Sequence, residues 1–274
     1  MSAMNIDGKK IAQDIESELK NKVSKMSKKP RLSVVQVGDD PASASYIKAK
    51  SNAAERVGID LTHHHLSLET TESELSKLIS NLNSSEDGII IQLPLPKGLE
   101  KVLNKIDPRK DVDGFHPFNL GKLVQGSPVM RPCTPAGVVE LLYRSGNNPE
   151  GKNVVIVGRS TIVGKPLSLL LSQKGVDATV TLCHSRTSNL RAFCKKADIL
   201  IVAVGRPDTI TGDMVKLGAV VIDVGVNRTD NGLVGDVSSD VKNVAGQLTP
   251  VPGGVGPMTV AMLMSNTVSS ASED

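Results

Sequence analysis

The stretch VVIVGRSTIVGKPLSLLL, residues 154–171, decides the fold of the second half of the chain. Four apolar residues, three of them valine, lead into a turn that begins at Gly158, and an apolar run follows from Pro166. A strand, a glycine turn and a helix in this order are typical of dinucleotide binding, because the turn brings backbone N–H groups and a helix N-terminus to a phosphate. The spacing here is G-x-S-x-x-x-G rather than the usual G-x-G-x-x-G.

The end of the next predicted strand indicates which dinucleotide would bind. A site for NAD usually has an Asp or Glu there, to hold the ribose 2′-hydroxyl. This chain has His184, Ser185 and Arg186 instead, and Arg159 lies in the glycine turn. Two arginines and a serine suit a 2′-phosphate, so the pattern favours NADP over NAD. The alternative is that the arginines are solvated surface charges and the glycines form ordinary turns.

Further apolar runs, separated by predicted helices, surround this turn. They cover residues 153–158, 178–185, 197–205 and 218–227. Such runs predict a parallel sheet covered on both faces. The first half of the chain also alternates helices and strands, and its expected elements follow in chain order. The first are a helix with Ile11, Ile15, Leu19 and Val23 on one face, a strand over 31–38 and a loop over 39–43. Next come a helix from about Ser45 to Val57 closed by Gly58, a strand over 59–67 and a helix begun by a capping box of Thr71 and Glu74. The last are a buried strand over 88–96, a short helix over 98–106 and a loop over 110–119.

The sequence therefore predicts an α/β protein with an N-terminal α/β catalytic lobe, a Rossmann-like domain with a parallel sheet, and a cleft between them. The expected bounds are 1–120 for the first domain and 121–249 for the second, joined by a helix over 134–146. We expect the C-terminal helix, within 250–274, to pack back onto the first lobe.

Composition limits the possible partners. The chain has 274 residues, a net charge of +3 and 2% aromatic residues, so we expect an aliphatic core and no nucleic-acid partner. The N-terminus lacks the apolar run of a signal peptide, and no stretch is apolar and long enough to span a membrane. Three cysteines, Cys133, Cys183 and Cys194, fit no metal or redox spacing. This usage predicts reduced thiols and a cytoplasmic protein.

Four polar features of the first lobe and the C-terminus are candidates for a site. Tyr46 and Lys50 in SYIKAK share a helix face, and Gln92 interrupts an apolar strand and needs hydrogen-bond partners if it is buried. A lysine beside it would have a lowered pKa if desolvated. The other two are Asp111 and Asp113 in KDVDGF and the glycine loop PVPGGVGPMT. All of these except Gln92 have simpler interpretations: Lys50 as a solvated lysine, Tyr46 as a core aromatic, Asp113 as a turn former before glycine and the glycine loop as a flexible segment.

Two other patterns are weaker. His63, His64 and His65 alternate faces on a strand, so only the outer two point together, and a surface strand explains them better than a metal site. We therefore expect no metal. Cys133, in RPCTP, could line the site, but the preferred interpretation is a buried structural thiol.

Taken together, nine segments resemble the bifunctional methylenetetrahydrofolate dehydrogenase/cyclohydrolase family, the FolD type. They are VGDDPASASYIKAK, GIIIQLPLP, DPRKDVDGFHPFNLGKL, RPCTPAGV, VVIVGRSTIVGKP, ADILIVAVG, VIDVGVNR, GDV and TPVPGGVGPMTVAML, which run from residue 37 to 263 in the family's order. The resemblance implies NADP-dependent oxidation of 5,10-methylenetetrahydrofolate, then hydrolysis of the methenyl product to 10-formyltetrahydrofolate. It also implies a homodimer and a place in one-carbon metabolism and purine biosynthesis.

The resemblance also implies roles for particular residues. Lys50 would be the catalytic group, Gln92 would hold it partly neutral, Asp113 would bind the pterin and Tyr46 would stack on the aminobenzoate ring. The residues implied to bind substrate are Tyr46, Lys50, Ile91, Gln92, Leu93, Asp113, Pro252, Gly253, Gly254, Val255 and Gly256. Those implied to bind the cofactor are Gly158, Arg159, Ser160, Ser185 and Val226.

The same residues allow three rival interpretations of the function. A Tyr-x-x-x-Lys pair also marks short-chain dehydrogenases, but there the pair follows the cofactor turn, and here it precedes the turn by more than a hundred residues. A monofunctional NAD-linked dehydrogenase of the same family would not need Lys50 and Gln92. A non-catalytic nucleotide-binding Rossmann protein would bind cofactor without turnover.

Overall fold

The structure is a computed structural model that describes residues 2–230 and 232–272, without the side chains of residues 41 and 42. The chain divides into two compact units. One, the three-stranded unit, comprises residues 13–133 and 260–274, and the other, the six-stranded unit, comprises residues 1–12 and 134–259. The chain passes from one unit to the other within its first helix, after residue 133 and within its last helix.

The three-stranded unit is built around a parallel sheet in the order β3-β2-β4. Its strands are β2 (Arg31–Val37), β3 (Asp60–Leu66) and β4 (Gly88–Ile91). The central strand β2 is buried from Leu32 to Val37, as expected for a strand covered on both faces. Its helices are α2 (Pro41–Val57), α3 (Glu72–Ser85), α4 (Pro117–Val124) and a 3-10 helix (Glu100–Lys105), together with most of α1 (Gly8–Val23) and of α8 (Val255–Ser270).

The six-stranded unit contains a parallel sheet in the order β1-β11-β8-β7-β5-β6. Its strands are β1 (Met4–Asn5), β5 (Asn153–Val157), β6 (Thr179–Cys183), β7 (Ile199–Val202), β8 (Val220–Asp223) and β11 (Gln247–Leu248). A separate hairpin pairs β9 (Asn227–Thr229) with β10 (Gly232–Val234). The helices are α5 (Cys133–Arg144), α6 (Gly164–Ser172) and α7 (Leu190–Cys194), with two short 3-10 helices, Gly212–Met214 and Ser239–Asn243.

The predictions of a parallel sheet in the second half of the chain and of an aliphatic core are confirmed. The twelve largest fully buried side chains are all leucine or isoleucine, among them Leu32, Ile79 and Leu200. Cys183 and Cys194 are free thiols within the core cluster of the six-stranded unit. The capping box is also present, since the Glu74 N–H donates to the Thr71 hydroxyl and the Thr71 N–H donates to the Glu74 carboxylate.

Several predicted bounds were wrong, and prolines explain three of them. α2 begins at Pro41 rather than near Ser45, and α4 begins at Pro117 inside a segment predicted as a loop. Proline is tolerated in the first helical turn, where its missing N–H has no partner to lose. Strand β4 ends at Ile91, because Pro94 and Pro96 cannot donate to a ladder, so Gln92 follows the strand instead of lying inside it. The short elements β1, α7, β9, β10 and β11 were not predicted.

The two units also differ from the predicted domains. The division falls after residue 133 rather than 120, and residues 1–12 belong to the six-stranded unit. The first residues join it because β1 adds to the sheet edge through Met4 and Asn5, which pair with Gln247 and Leu248. Two residues carry too weak a pattern for this pairing to be visible in the sequence.

Candidate active site

Helix α2 places Tyr46 and Lys50 on one face, four residues apart. The Tyr46 side chain is 46% exposed, so it is not the core aromatic that was the alternative. Lys50 is only partly exposed, which also rejects the interpretation as a fully solvated lysine. The helix ends in the expected way, since the Gly58 N–H donates to the Ala54 carbonyl.

Gln92 joins Lys50 from the end of strand β4. The Lys50 ammonium donates to the Gln92 side-chain carbonyl at 2.7 Å, and the Gln92 amide group donates to the Leu93 carbonyl at 2.7 Å. The Gln92 backbone N–H donates to Val35, which continues the ladder past the last strand residue. Both side-chain atoms of this buried amide are therefore satisfied, and its oxygen points at the lysine.

Lys50 is held in a state that favours loss of its proton. Burial lowers the pKa of Lys50, and the nearby charge of Asp113 only partly opposes this effect. The acceptor on Gln92 is neutral, so it can hold the amine without stabilising the ammonium form as strongly as a carboxylate would. The arrangement suits a group that exchanges protons more readily than a solvated lysine does.

Asp113 lies beside Lys50 in the loop before α4. Burial raises its pKa to about 6, with Asp111 adding to the rise and Lys50 opposing it. Asp111 has a different task, since its carboxylate accepts from the His116 N–H at 2.7 Å and from the Asn119 amide at 2.9 Å. Asp111 thus holds the loop, whereas the carboxyl group of Asp113 interacts with Lys50 and Cys133.

Cys133 borders this group, which the sequence left open. It is buried, as predicted, and its thiol donates to the Val112 carbonyl at 3.2 Å and also interacts with Asp113. The Asn266 amide of α8 donates to the same Val112 carbonyl at 2.8 Å. Burial and the charge of Asp113 raise the pKa of the Cys133 thiol well above its usual value, so the thiol stays protonated. These contacts fix the backbone that carries Asp113.

Two predicted substrate residues near Gln92 differ in exposure. Ile91 is 3% exposed and belongs to the apolar core of the three-stranded unit, so its side chain cannot reach a ligand. Leu93 is 36% exposed. Of this pair, only Leu93 offers a side chain to a ligand.

In the six-stranded unit, the turn at Gly158 lies where strand order reverses. Strand β5 has β6 on one side and β7 on the other, which is where parallel sheets bind ligands at the carboxyl edge. Gly158 has φ +124°, and a Cβ there would collide with the Ala203 carbonyl oxygen. Only glycine allows this close approach between the turn and the loop after β7.

The predicted cofactor residues follow neighbouring strands of this sheet. The Gly158 N–H donates to the Cys183 carbonyl at 2.9 Å, which joins the turn to the loop that carries Ser185. Arg159, Ser185 and Arg186 are all exposed on these adjoining loops. His184 folds its own loop, since its Nδ1 accepts from the Arg186 N–H at 3.1 Å. Exposed arginines on adjoining loops fit a 2′-phosphate.

Ser160 stabilises the start of a helix in addition to its predicted role in cofactor binding. Its hydroxyl oxygen accepts from the N–H groups of Val163 at 3.1 Å and Gly164 at 3.4 Å, which stabilises the N-terminus of α6. The hydroxyl proton remains available to a bound group.

Val226, after strand β8, is 44% exposed. The sequence analysis did not identify the loop after β7, residues 203–206, as part of the candidate site, although β7 lies between β5 and β8 in the sheet. The signal in the sequence was the pair Gly205 and Arg206 directly after an apolar run.

The glycine loop before α8 is ordered rather than flexible. The Gly253 carbonyl accepts from the Lys9 N–H at 2.9 Å, and Gly254 approaches the Pro250 carbonyl so closely that a Cβ would contact it at 2.6 Å. The helix begins at Val255, so Pro257 lies in its first turn. Pro252 and Gly256 are exposed, whereas Val255 is buried.

Two further observations concern metals and membranes. Within residues 2–230 and 232–272, no three His, Cys, Asp or Glu side chains form a group able to hold a metal ion. His63 and His65 stack with ring centroids 5.8 Å apart, as expected for the outer two histidines of the strand. In the same part of the chain, no helix has both the length and the apolar character needed to cross a membrane.

Comparison with known proteins agrees with this geometry. Family models match residues 6–113 as a tetrahydrofolate dehydrogenase/cyclohydrolase catalytic domain and residues 132–274 as the NAD(P)-binding domain of the same family. The bifunctional protein FolD of Oleidesulfovibrio alaskensis is 52% identical over 276 residues, covering 97% of this chain and 96% of the relative.

Solved structures of similar proteins extend the match to the fold. The bifunctional FolD enzyme of Campylobacter jejuni is 44% identical with a TM-score of 0.95, over 99% of each chain. The FolD of Trypanosoma brucei, solved with NADP and an inhibitor, is 38% identical with a TM-score of 0.93, over 100% of this chain and 98% of that one. The chain therefore belongs to the tetrahydrofolate dehydrogenase/cyclohydrolase family.

Proposed function

We propose that this protein oxidises 5,10-methylenetetrahydrofolate with NADP⁺ to the 5,10-methenyl compound and then hydrolyses that product to 10-formyltetrahydrofolate. The observation that carries the proposal is the Lys50–Gln92 hydrogen bond at 2.7 Å beside Asp113, in a chain of this family. A dehydrogenase alone would not need a lysine whose pKa is lowered by burial, because hydride transfer from the one-carbon bridge requires no proton transfer.

The oxidation depends on binding and orientation. NADP⁺ supplies the hydride acceptor, and the folate nitrogens stabilise the cation that forms. Gly158 and Ser160, in the turn that leads into α6, would bind the phosphates. Arg159 and Ser185 would contact the 2′-phosphate, and Val226 would contact the nicotinamide.

The hydrolysis depends on Lys50. A water molecule attacks the methenyl carbon, and the neutral amine of Lys50 accepts the proton that the water loses. The resulting ammonium then returns a proton to the ring nitrogen as its bond to carbon breaks, and the hydroxyl of the intermediate releases its proton to solvent as the formyl C=O forms. Gln92 is a positioning residue in this scheme, because its carbonyl orients the amine in both protonation states.

The predicted substrate residues would each make a different contact. Asp113 would accept hydrogen bonds from the donor edge of the pterin, a task that a carboxylate performs well. The exposed ring of Tyr46 would stack on the aminobenzoate group, with Leu93 beside Gln92 as a further apolar contact. The loop of Pro252, Gly253, Gly254 and Gly256, with the backbone of Val255, would form a wall that lets the folate approach closely, while Ile91 would contribute through its backbone.

We also infer a homodimer in the cytoplasm, without nucleic-acid or membrane partners, that supplies one-carbon units to purine biosynthesis. The family resemblance supports the dimer and the pathway, and the small net charge of +3 argues against a nucleic-acid partner. We propose residues 1–120 as the folate-binding catalytic domain and residues 121–249 as the NADP-binding domain, a division that the family models over residues 6–113 and 132–274 support.

An absorbance assay tests the proposal. Purified protein is given methylenetetrahydrofolate with NADP⁺ and, separately, with NAD⁺, and the reduced cofactor and the methenyl compound are followed independently. We expect reduction with NADP⁺ and an accelerated decay of added methenyl compound. Reduction without accelerated decay would leave a monofunctional dehydrogenase, and cofactor binding without turnover would leave a nucleotide-binding protein.

A further inference from the structure

Two buried carboxylates at the carboxyl edge of the six-stranded unit have no part in the scheme above. Asp236 is 0% exposed and Asp223 is 4% exposed. A buried carboxylate is costly unless it is well hydrogen-bonded, so its retention calls for a structural or functional reason. The contacts of both residues lead to the cofactor edge.

Asp236 accepts four hydrogen bonds. Its Oδ2 accepts from the backbone N–H groups of Val204 at 2.7 Å and Gly205 at 2.9 Å, and its Oδ1 accepts from Arg206 N–H at 2.8 Å. Oδ1 also accepts from the Asn227 side-chain amide at 2.9 Å. One carboxylate thus ties the loop after β7 to the segment after β8.

Asp223 holds Asp236 in place from the end of β8. Its Oδ1 accepts from the Asp236 N–H at 3.0 Å and the Gly225 N–H at 3.0 Å, and its Oδ2 accepts from the Val237 N–H at 2.9 Å. Two glycines make room for the pair: a Cβ at Gly225 would collide with the Asp236 carboxylate, and a Cβ at Gly235 would collide with that of Asp223. The arrangement is built for close approach of these groups.

The loop that Asp236 holds abuts the glycine turn. Its first residue, Ala203, is the one whose carbonyl approaches Gly158 so closely that only glycine fits. The two loops joined by the carboxylate also leave one apolar side chain each at this edge, Val204 at 39% exposure and Val226 at 44%. Exposed valines on either side of a rigid junction suit contact with a flat ring.

We propose that Asp236, supported by Asp223, is a positioning residue for the NADP site, which fixes the loops after β7 and β8 against the Gly158 turn. The inference rests on the proposed function, because it presumes that NADP binds at this edge. It assigns Asp236 no contact with the cofactor: its effect passes through backbone atoms of residues 204–206 and through Asn227.

Asp236→Asn is the decisive variant. The substitution preserves shape, but the new amide NH₂ must face at least two N–H donors, because each carboxylate oxygen accepts two. Asp223→Asn is milder, since an amide oxygen can retain the two donors at Oδ1 and only the Val237 contact is lost. The matched control is Asp198→Asn in the same unit, where the carboxylate accepts from the Asn153 N–H at 2.9 Å and from Lys216 at the amino edge of the sheet.

The experiment measures the dissociation constants of NADP⁺ and NAD⁺ by calorimetry, together with the rate of methenyl hydrolysis, which needs no cofactor. We expect Asp236→Asn to weaken both cofactors about tenfold or more, equally, and to leave hydrolysis within about twofold of wild type. Asp223→Asn should show a smaller loss of the same kind, and Asp198→Asn should show none.

The outcomes separate the inference from the function it rests on. Wild-type protein that binds no NADP⁺ would refute the proposed function and the inference with it. With wild-type binding established, unchanged dissociation constants in Asp236→Asn, or an equal loss of hydrolysis, would overturn the inference alone. If Asp236→Asn does not fold, Asp223→Asn decides by the same two criteria.

Discussion

Lys50 in the three-stranded unit and Asp236 in the six-stranded unit are both shielded from water, but their charged groups have different hydrogen-bond partners. Lys50 donates to the neutral carbonyl of Gln92, and burial lowers its pKa. Asp236 accepts four N–H bonds, three of them from consecutive backbone amides. The ammonium therefore loses its proton more readily than that of a solvated lysine, while the carboxylate is surrounded by donors.

The difference matches two kinds of task. A group that must exchange protons works best when neither of its protonation states is strongly preferred. A group that must hold backbone in place works best when it is fully hydrogen-bonded, because a buried polar group without partners is costly. The four predictions below test whether the two regions act as separately as this comparison suggests, beginning with the largest expected effect.

Lys50→Ala should lower the rate of methenyl hydrolysis by about 10²–10⁴-fold, the usual worth of a general acid–base group. NADP⁺ binding should stay unchanged, because the cofactor edge belongs to the six-stranded unit. Lys50→Met keeps the packing of the side-chain stem, so it is the matched variant for any loss of stability. Rates are read from the decay of added methenyl compound, and a normal rate in either variant would refute the assignment of Lys50.

How far the sequence predicts these sites depends on how local their contacts are. The capping box of Thr71 and Glu74 and the shared face of Tyr46 and Lys50 involve residues three or four apart, and both were predicted. Pro41 was assigned to a loop but begins α2. Proline interrupts a helix in its interior and is favoured in its first turn, so the residue type alone does not distinguish the two cases.

Long-range contacts account for what was missed. Asp236 meets its partners 30–32 residues away at residues 204–206, and Asp223 meets it across 13 residues. In the sequence, G-D-V around Asp236 is a typical turn pattern with no sign of burial. Likewise, the contact between Cys133 and the backbone of Val112 spans 21 residues, so the position of Cys133 beside Asp113 depends on packing that no local pattern encodes.

Arg159→Ala should weaken NADP⁺ about tenfold to a hundredfold and NAD⁺ much less, because a charge-assisted contact to the 2′-phosphate is worth about 1.5–3 kcal/mol. Calorimetric titration of both cofactors measures the ratio. The contrast with Asp236→Asn sharpens the comparison, since that variant should weaken the two cofactors equally. Equal losses in Arg159→Ala would remove the argument for a 2′-phosphate site.

The affinity for a tetrahydrofolate ligand should fall about tenfold as pH falls from 7 to 5. The pKa of Asp113 is raised to about 6, so the carboxylate that would bind the pterin is present above that pH and lost below it. Protonation of Asp113 stabilises the fold at low pH, because its folded pKa lies above the unfolded value, so unfolding through this group does not explain the loss.

The measurement for Asp113 is equilibrium binding of a non-reacting folate analogue between pH 5 and 8. Asp113→Asn is the control: it retains Lys50 and should bind weakly with little pH dependence. A wild-type profile that matches the variant would show that Asp113 does not control the binding.

Tyr46 should give the smallest effect. Stacking of an aromatic ring on the aminobenzoate group is worth about 0.5–1.5 kcal/mol, so Tyr46→Ala should raise the KM for methylenetetrahydrofolate about threefold to tenfold with little change in the KM for NADP⁺. Tyr46→Phe keeps the ring and should behave as wild type in steady-state kinetics. If both variants lose equally, the hydroxyl rather than the ring carries the contact. Because the side chain is 46% exposed, neither change should lower the thermal midpoint much, which leaves the KM as a direct reading of substrate contact.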